Sequence, residues 1–175
     1  MPLRTVLAAV RVTRPRIQQE NTVSNIKQSI DVDVPVRVAY DQWTQFESFP
    51  QFMGAVESIE QVTDTKNRWH VSVGGVKRDF VTEITEQTPD QRIAWKTVDG
   101  DIGHAGVVTF HHLDDNCTRV NLDMDVDPDG FIEQVGDKLG IMSAQTKADM
   151  ERFKDFIETR NTPTGGWRGK VERND

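Results

Sequence analysis

The residue best suited to acid and base chemistry in this sequence is His104, which follows the turn residues Asp99 to Asp101. A histidine ordinarily titrates at about pH 6.5, so its ring can accept or release a proton near neutral pH. Asp101 is close enough in sequence to orient the ring. No serine or cysteine is spaced to complete a nucleophilic relay. Two interpretations therefore stay open: His104 is a weak catalytic candidate, or it is a histidine at the rim of a pocket without chemistry.

Two patterns that resemble metal sites fail on geometry. His111 and His112 are adjacent on a predicted strand, so their side chains leave opposite faces and cannot bind one ion together. The segment 125–130 begins like a calcium loop, but Gly136 stands where that loop needs a bidentate glutamate. We therefore predict no metal and no cofactor. His112 shares a face with Phe110, which makes it a candidate polar anchor, with a surface histidine as the alternative.

Arg78 is the second candidate anchor. It shares the parity of Phe80 along a predicted strand, which directs the guanidinium to the inner face unless the turn at 74–75 shifts the register. A buried arginine needs a carboxylate or an anionic ligand group as its partner. The alternative is an exposed arginine at the end of the strand, paired with Asp79 or Glu60.

These side chains belong to a predicted antiparallel meander. Alternation from Ser24 to Val34 predicts a strand, and Pro35 then begins a short helix that ends near Gln45. Six further strands are predicted at about 55–63, 68–74, 76–87, 91–98, 104–113 and 117–126, with turn residues between them. In such a sheet one face is typically buried and the other is exposed to solvent.

A long helix is predicted after the strands. Apolar residues recur every three or four positions from Phe131 to Ile157, which indicates a helix of about 29 residues with one apolar stripe. Such a helix is about 40 Å long, too long to be covered by the short helix. We therefore expect its stripe to pack on the inner face of the sheet.

The composition is typical of one folded domain. The chain has 175 residues, of which 36% are hydrophobic and 28% are charged, enough for a single core. The single cysteine, Cys117, excludes an internal disulfide and fits a reducing, cytoplasmic location. The longest clear apolar run, Val6 to Val10, is far too short to span a bilayer, so no integral membrane association is predicted.

The charge is distributed unevenly along the chain. The net charge is -7, and because residues 1–22 carry +3 and residues 161–175 carry +1, the body at 23–160 carries -11. A body this acidic repels a phosphate backbone, so we predict no nucleic-acid partner. We divide the chain into a basic flexible arm (1–22), a folded domain (23–160) and a C-terminal tail (161–175). The oligomeric state is left open.

Several segments resemble one protein family. They are WTQFESFPQFM (43–53), WKTVDG (95–100), GVVTF (106–110), TRV (118–120) and DMERFKDFIE (149–158). With the element order, they resemble the bacterial cyclase/dehydrase branch of the START-like (SRPBCC, polyketide cyclase/dehydrase and lipid transport) superfamily, which is related to coenzyme Q-binding START domains. The resemblance covers about residues 23–169. It implies an α+β helix-grip fold: a seven-stranded antiparallel sheet curled around a long C-terminal helix, with two short helices after the first strand.

The resemblance also implies an apolar cavity between the sheet and the C-terminal helix. Inward-facing aromatic residues on four predicted strands independently support it. The predicted cavity residues are Trp69, Phe80, Ile84, Trp95, Val108, Phe110, Leu122, Met124, Val135, Leu139 and Met142. Phe49, Phe52 and Met53 are candidates for a gate over the cavity entrance, with core packing and a dimer surface as the alternatives.

This fold serves carriers, cyclizing enzymes and regulatory proteins, so the fold alone does not decide the function. A carrier can have an almost wholly apolar wall, whereas cyclization needs a correctly placed acid or base. No strong pair of such groups is visible in the sequence. We therefore predict a carrier or sensor that binds a lipid, a quinone or a polyketide-like molecule. The alternatives are a polyketide cyclase/dehydrase-type enzyme that uses the same cavity, and a protein-interaction module.

Overall fold

The computed structural model describes residues 24–100, 102–127 and 138–173. The strands are β1 (Ser24–Val32), β2 (Val56–Gln61), β3 (Lys66–Val73), β4 (Val76–Thr88), β5 (Arg92–Gly100), β6 (His104–Asp114) and β7 (Cys117–Val126). The helices are α1 (Val36–Trp43), a 3₁₀ helix (Phe46–Gln51) and α2 (Lys138–Arg160). The predicted arm at 1–22 and the predicted cavity residue Val135 lie outside the described residues.

The strands form one antiparallel sheet in the order β1-β7-β6-β5-β4-β3-β2. The chain enters at one edge, crosses to the other edge through α1 and the 3₁₀ helix, and returns as a meander that places β7 beside β1. Pro35 precedes α1 with a φ of -57°, the value that its ring enforces and that suits a helix start. The predicted α+β helix-grip architecture is confirmed.

Irregular pairing between β4 and β5 bends the middle of the sheet. Their register shifts at residues 81–82 and again at 84–86 of β4, and such shifts kink a strand and increase its twist. At the end of β5, Gly100 has a φ of +110°, and an added Cβ would lie 2.7 Å from the carbonyl oxygen of Asp79. Glycine is needed there because a larger residue meets both steric and backbone strain.

The apolar stripe of α2 is buried over most of the described helix. Its buried residues are Met142, Thr146, Met150, Phe153 and Ile157, and they keep the predicted spacing. Leu139, one turn before Met142, remains 40% exposed. The expectation that Leu139 lines the cavity is therefore wrong, because a side chain on the apolar face is buried only where another element lies opposite it.

The two short helices are fixed in the core by aromatic rings. The ring of Trp43 meets that of Phe153 edge-on, with 5.1 Å between centroids, and that of Phe110 at 6.4 Å. Phe52 is 1% exposed and lies 5.3 Å from both Phe153 and Phe156. Such pairs stabilise a core beyond the burial of their area. They hold the segment 43–53 between the sheet and α2.

The tail segment 161–173 lies along the folded domain. Arg168 donates hydrogen bonds to Asp41 Oδ1 at 2.6 Å and to Asp90 Oδ2 at 2.8 Å. Its guanidinium also lies 5.5 Å from the centroid of the Tyr40 ring. Val171 exchanges two backbone hydrogen bonds with Gln87 of β4, at 2.8 and 2.9 Å. The tail thus joins α1 to the turn between β4 and β5.

Candidate functional site

A cavity of about 120 Å³ lies between the inner face of the sheet and α2. It is lined by Trp43, Phe49, Met53, Ala55, Val56, Trp69, Val71, Val73, Phe80, Trp95, His104, Leu122, Met124, Val126, Met142, Gln145, Thr146, Asp149 and Met150. All but four of these side chains are apolar or aromatic. A mostly apolar wall with a few polar groups is the usual composition of a small-molecule site.

The structure brings six of the predicted cavity residues together around this space. They are Trp69, Phe80, Trp95, Leu122, Met124 and Met142. Five come from the inward positions of β3, β4, β5 and β7, and the sixth comes from the apolar stripe of α2. These are positions that share one face by the two periodicities, two along a strand and about 3.6 along a helix.

Three other predicted cavity residues are buried elsewhere in the core. Ile84, Val108 and Phe110 are at most 6% exposed, but they do not line the cavity. The ring of Phe110 lies 5.4 Å from that of Tyr40 and 6.4 Å from that of Trp43, so α1 fills the space above this part of the sheet. These three assignments are corrected, because alternation identifies the buried face but not the part of it that a helix covers.

The three gate candidates separate into two environments. Phe49 and Met53 both line the cavity, and Phe49 is only 1% exposed. Phe52 does not line it, because its ring is enclosed by the aromatic rings of α2 described above. Phe52 is therefore corrected to a core residue, while Phe49 and Met53 lie where a ligand would touch them.

Neither predicted polar anchor lines the cavity. Arg78 lies near the turn between β3 and β4, and its Nη1 donates to the carbonyl oxygen of Lys77 at 3.0 Å. His112 is exposed, with Nε2 3.4 Å from Asp115 Oδ1. His112 still pairs regularly with Thr118, just before the register shift between His112 and Asp114, so its exposure shows that inward parity does not bury a side chain at this end of β6. Both placements inside the cavity were wrong.

His104 does line the cavity, and aromatic rings surround it. The centroid of its ring lies 5.9 Å from that of Phe80, 6.1 Å from that of Trp95 and 6.5 Å from that of Trp69. Burial lowers the pKa of His104 to about 4, because an imidazolium here would lose its hydration. The ring is therefore uncharged at neutral pH. This makes His104 a much weaker base than its sequence position predicted. Asp101, expected to orient it, lies outside the described residues.

Asp149 is a cavity residue that sequence reasoning missed. Its Oδ1 accepts hydrogen bonds from the backbone N–H of Gly54 at 3.0 Å, from Gln145 Nε2 at 2.9 Å and from Arg152 Nη1 at 2.7 Å. Burial raises the pKa of the Asp149 carboxyl despite these three donors. The sequence pattern that could have identified Asp149 is a carboxylate beside the apolar stripe of the helix, with Gln145 four residues before it and Arg152 three residues after it.

The comparisons with known proteins agree with this geometry. The family model for polyketide cyclase / dehydrase and lipid transport matches residues 32–155. The chain belongs to this family. An uncharacterized 17.2 kDa protein from the melC2-rnhH intergenic region of Streptomyces lincolnensis is 60% identical over 149 residues, which cover 85% of this chain and 99% of that protein. The resemblance that the sequence motifs carried is confirmed.

Solved structures in the same comparison share the fold. The Zhui aromatase/cyclase from Streptomyces sp. R1128 has a TM-score of 0.65 at 16% identity, covering 83% of this chain and 99% of that one. A START superfamily protein from Mycobacterium smegmatis has a TM-score of 0.61 at 15% identity, covering 78% and 95%. At these low identities the similarity to both structures shows a shared fold. This member of the polyketide cyclase / dehydrase and lipid transport family therefore adopts the helix-grip fold.

In this family member, the described part of the cavity wall is mostly apolar. Neither α1 nor α2 combines the length and hydrophobicity that a membrane-spanning helix requires. No group of three or more His, Cys, Asp or Glu side chains within the described ranges is arranged to hold a metal ion. The titratable groups on the cavity wall are His104 and Asp149. The arrangement is suited to enclosing an apolar molecule.

Proposed function

We propose that this chain binds a hydrophobic small molecule, such as a lipid, a quinone or a polyketide-like compound, in the cavity between the sheet and α2, and acts as a carrier or sensor. The observation that carries the proposal is the cavity wall: side chains from β2 to β7 and from the helices leave a space that they do not fill. Unfilled apolar space destabilises a core, so a molecule that fills it would stabilise the protein. Membership of the family supports the same function.

The experiment is native mass spectrometry of the gently purified chain, followed by extraction of any bound molecule and rebinding to emptied protein. Ala55 lines the cavity, so Ala55→Leu should reduce rebinding at least tenfold by filling the space. Ala144 is exposed on α2, so Ala144→Leu makes the same change outside the cavity and should bind like the wild type. The proposal fails if the wild type retains nothing and binds no member of a panel of quinones, fatty acids and aromatic polyketides.

A cyclase/dehydrase-type enzyme is the second candidate, because His104 and Asp149 both line the cavity. Such an enzyme needs a group that transfers protons near its working pH. The pKa of about 4 for His104 makes it a weak base at pH 7 and favours the carrier. Turnover of a poly-β-ketone by the wild type, abolished in His104→Ala while binding is retained, would favour the enzyme instead.

We also propose that the carrier works in the cytoplasm. Its single cysteine, Cys117, is a free thiol at the start of β7, and a chain without disulfides is suited to a reducing compartment. Fractionation of cells that produce the full chain tests this proposal. Recovery of the protein in a membrane or secreted fraction would contradict it.

A further inference from the structure

Methionine is concentrated at the cavity. The chain contains five methionines, and Met53, Met124, Met142 and Met150 all line the cavity. The fifth, Met1, lies outside the described residues. Every methionine that the structure describes therefore contributes to the cavity wall, whereas the rest of the core is built mainly from isoleucine, valine and aromatic residues. This distribution indicates that a property of the methionine side chain beyond its hydrophobicity is used at this site.

The four methionines come from separate parts of the fold. Met53 follows the 3₁₀ helix and Met124 has the inward parity of β7, and both pack against the core while remaining partly exposed. Met142 and Met150 belong to the apolar stripe of α2 and are 9% and 2% exposed. Their side chains therefore meet the cavity both from the sheet and from the helix.

The cavity is smaller than ligands of the proposed class require. Its volume is about 120 Å³, whereas pockets for drug-sized molecules measure roughly 300 to 1,000 Å³. An apolar cavity of roughly 150 Å³ is known to accept benzene. The cavity as it stands therefore has room for a single ring. A lipid, a quinone with a chain or a polyketide-like molecule enters only if part of the wall moves.

The aromatic part of the wall is poorly suited to that movement. The ring of Trp69 is stacked on that of Phe80, with 5.8 Å between centroids, and its Nε1 donates to Thr82 Oγ1 at 2.8 Å. The ring of Trp43 meets that of Phe153 at 5.1 Å. Displacing one of these rings breaks its contacts with the others, and such contacts stabilise a core beyond the burial of their area.

The methionine part of the wall is well suited to it. Methionine is unbranched, has three rotatable side-chain bonds and a polarizable sulfur, and repacks around partners of different shape. Leu139, one turn before Met142, is 40% exposed, so the packing around this end of α2 is incomplete within the described residues. A change of rotamer at Met142 therefore disturbs few neighbours.

We infer that the four methionines are the adjustable part of the cavity wall, and that they let one site accept apolar molecules of graded size, from one aromatic ring to several fused rings. The inference rests on the proposed function and extends it from one compound of fixed shape to a range of ligands. The aromatic rings hold one side of the ligand, while the thioether side chains turn to enlarge the space beside it. The methionines then determine the upper size limit.

The test varies the size of the ligand and nothing else. Toluene, naphthalene and phenanthrene have one, two and three rings and carry no polar group. Their dissociation constants are measured by equilibrium dialysis with the full chain, with the double variant Met142→Leu/Met150→Leu, and with a fourfold variant in which all four cavity methionines are replaced by leucine. Leucine keeps a similar volume but has fewer rotatable bonds, and the exchange is among the best tolerated in a core.

We expect the wild type to bind phenanthrene at least tenfold more tightly than toluene, because the larger molecule buries more apolar surface. In the fourfold variant this ratio should fall at least tenfold, while toluene binding stays within about threefold of the wild type. The double variant should lie between them. Ile157→Leu is the matched control, because Ile157 is buried in the same stripe of α2 but does not line the cavity. It should keep the wild-type ratio even if it lowers the stability.

The methionine methyl groups give a direct readout of the movement. In protein labelled with ¹³C at these methyls, the four resonances are assigned with single Met→Leu variants. Their ¹³C shifts depend on the rotamer of the side chain. Phenanthrene should therefore move the ¹³C shifts of at least two cavity methionines, whereas toluene, which fits the existing space, should leave the rotamers as they are.

The outcomes separate this inference from the proposed function. If the wild type binds toluene but excludes phenanthrene, or if the fourfold variant keeps the wild-type ratio, the methionines are not the adjustable part and the inference is overturned, while the cavity remains a binding site. An equal fall of the ratio in Ile157→Leu would also overturn it. If the fourfold variant no longer binds toluene, the ratio in the double variant decides. If no probe binds and no molecule is recovered from the purified protein, the proposed function itself fails.

Discussion

The carboxylate of Asp149 on α2 accepts a hydrogen bond from the backbone N–H of Gly54, with 3.0 Å between the two atoms. Gly54 lies between the 3₁₀ helix and β2, so this hydrogen bond joins the segment that connects those two elements to α2. Gly54 also has no side chain to displace Arg152, since an added Cβ would lie 2.9 Å from Nη1. The hydrogen bond therefore links two parts of the cavity wall, because Asp149 and the two neighbours of Gly54, Met53 and Ala55, all line the cavity.

Replacing Asp149 by alanine should loosen the attachment of the segment around Gly54 to α2. The N–H of Gly54 loses its acceptor, and we expect the free energy of unfolding to fall by about 1 to 2 kcal/mol. Hydrogen exchange of the Gly54 amide should accelerate about tenfold relative to core strands. Glu151 is exposed on the same helix, so Glu151→Ala is the matched control. An unchanged Gly54 exchange rate in Asp149→Ala would show that the bond does not hold the segment.

Burial of His104 predicts a dependence of stability on pH. Its pKa is about 4 in the folded protein, below the ordinary 6.5, so between these values the unfolded chain binds a proton that the folded chain does not. Stability from this group is therefore fully present above about pH 6.5 and is lost as the pH falls toward 4, by up to about 3 kcal/mol.

The measurement is urea unfolding of the wild type and of His104→Leu at intervals from pH 7.5 to 4. The difference between the two unfolding free energies should change in favour of the variant as the pH falls. His104→Phe should give the same slope, because neither replacement titrates and only their packing differs. Parallel curves for wild type and variants would mean that the imidazole is hydrated in the folded protein.

The close approach of Trp95 to Gly106 makes a third prediction. Gly106→Ala places a methyl group within 2.5 Å of the indole, so the ring must move and we expect a loss of about 1 to 3 kcal/mol. Gly103→Ala is the control, because nothing lies within 4 Å of its added Cβ. Chemical denaturation measures the loss of stability, and the tryptophan emission spectrum reports the movement of the Trp95 ring. If Gly106→Ala and Gly103→Ala have the same free energy of unfolding, the close approach of Trp95 to Gly106 does not contribute to stability.

Periodicity predicted the sheet and the apolar stripe of α2, because each depends on which residues face the same side of one element. It could not locate the cavity along that face. Phe110 and Trp95 share the inward parity of neighbouring strands, yet the Phe110 side is filled by the rings of Tyr40 and Trp43. The space beside Trp95 depends on how α1 and α2 cross the sheet, which is a property of the tertiary packing.

The polar groups of the site were harder to predict for a related reason. In the sequence Asp149 is an ordinary helix residue. Its role depends on a hydrogen bond from the backbone N–H of Gly54, which lies 95 positions earlier. Arg78 has the inward parity, but it lies near a hairpin turn where a long side chain can bend back to the backbone of Lys77. Strand ends and long-range hydrogen bonds decide such positions, and neither is encoded in a local pattern.

The last prediction concerns Arg168, which connects the tail to the domain. Its guanidinium bridges Asp41, whose side chain is 12% exposed, and Asp90, which is 36% exposed. The hydrogen bonds to Asp90 and Asp41 raise the pKa of Arg168 above its usual value, as expected for a cation held by two carboxylates. Arg168→Ala leaves both carboxylates without this partner, and the bridge is partly solvated, so we expect a loss of about 1 to 3 kcal/mol.

A lysine cannot make the same bridge, because its single ammonium group lacks the fork that reaches two carboxylates at once. Arg168→Lys should therefore recover only part of the stability lost in Arg168→Ala. Lys170 is the control: it is exposed in the same tail and pairs with Glu172, so Lys170→Ala should leave unfolding unchanged. Carboxypeptidase digestion adds a structural readout, since releasing the tail should expose residues after 160 to the protease in Arg168→Ala first. Full resistance of that variant, with wild-type stability, would show that the other contacts of the tail, such as the hydrogen bond from the Trp167 backbone N–H to Thr44 Oγ1 and the backbone bonds between Val171 and Gln87, hold it without Arg168.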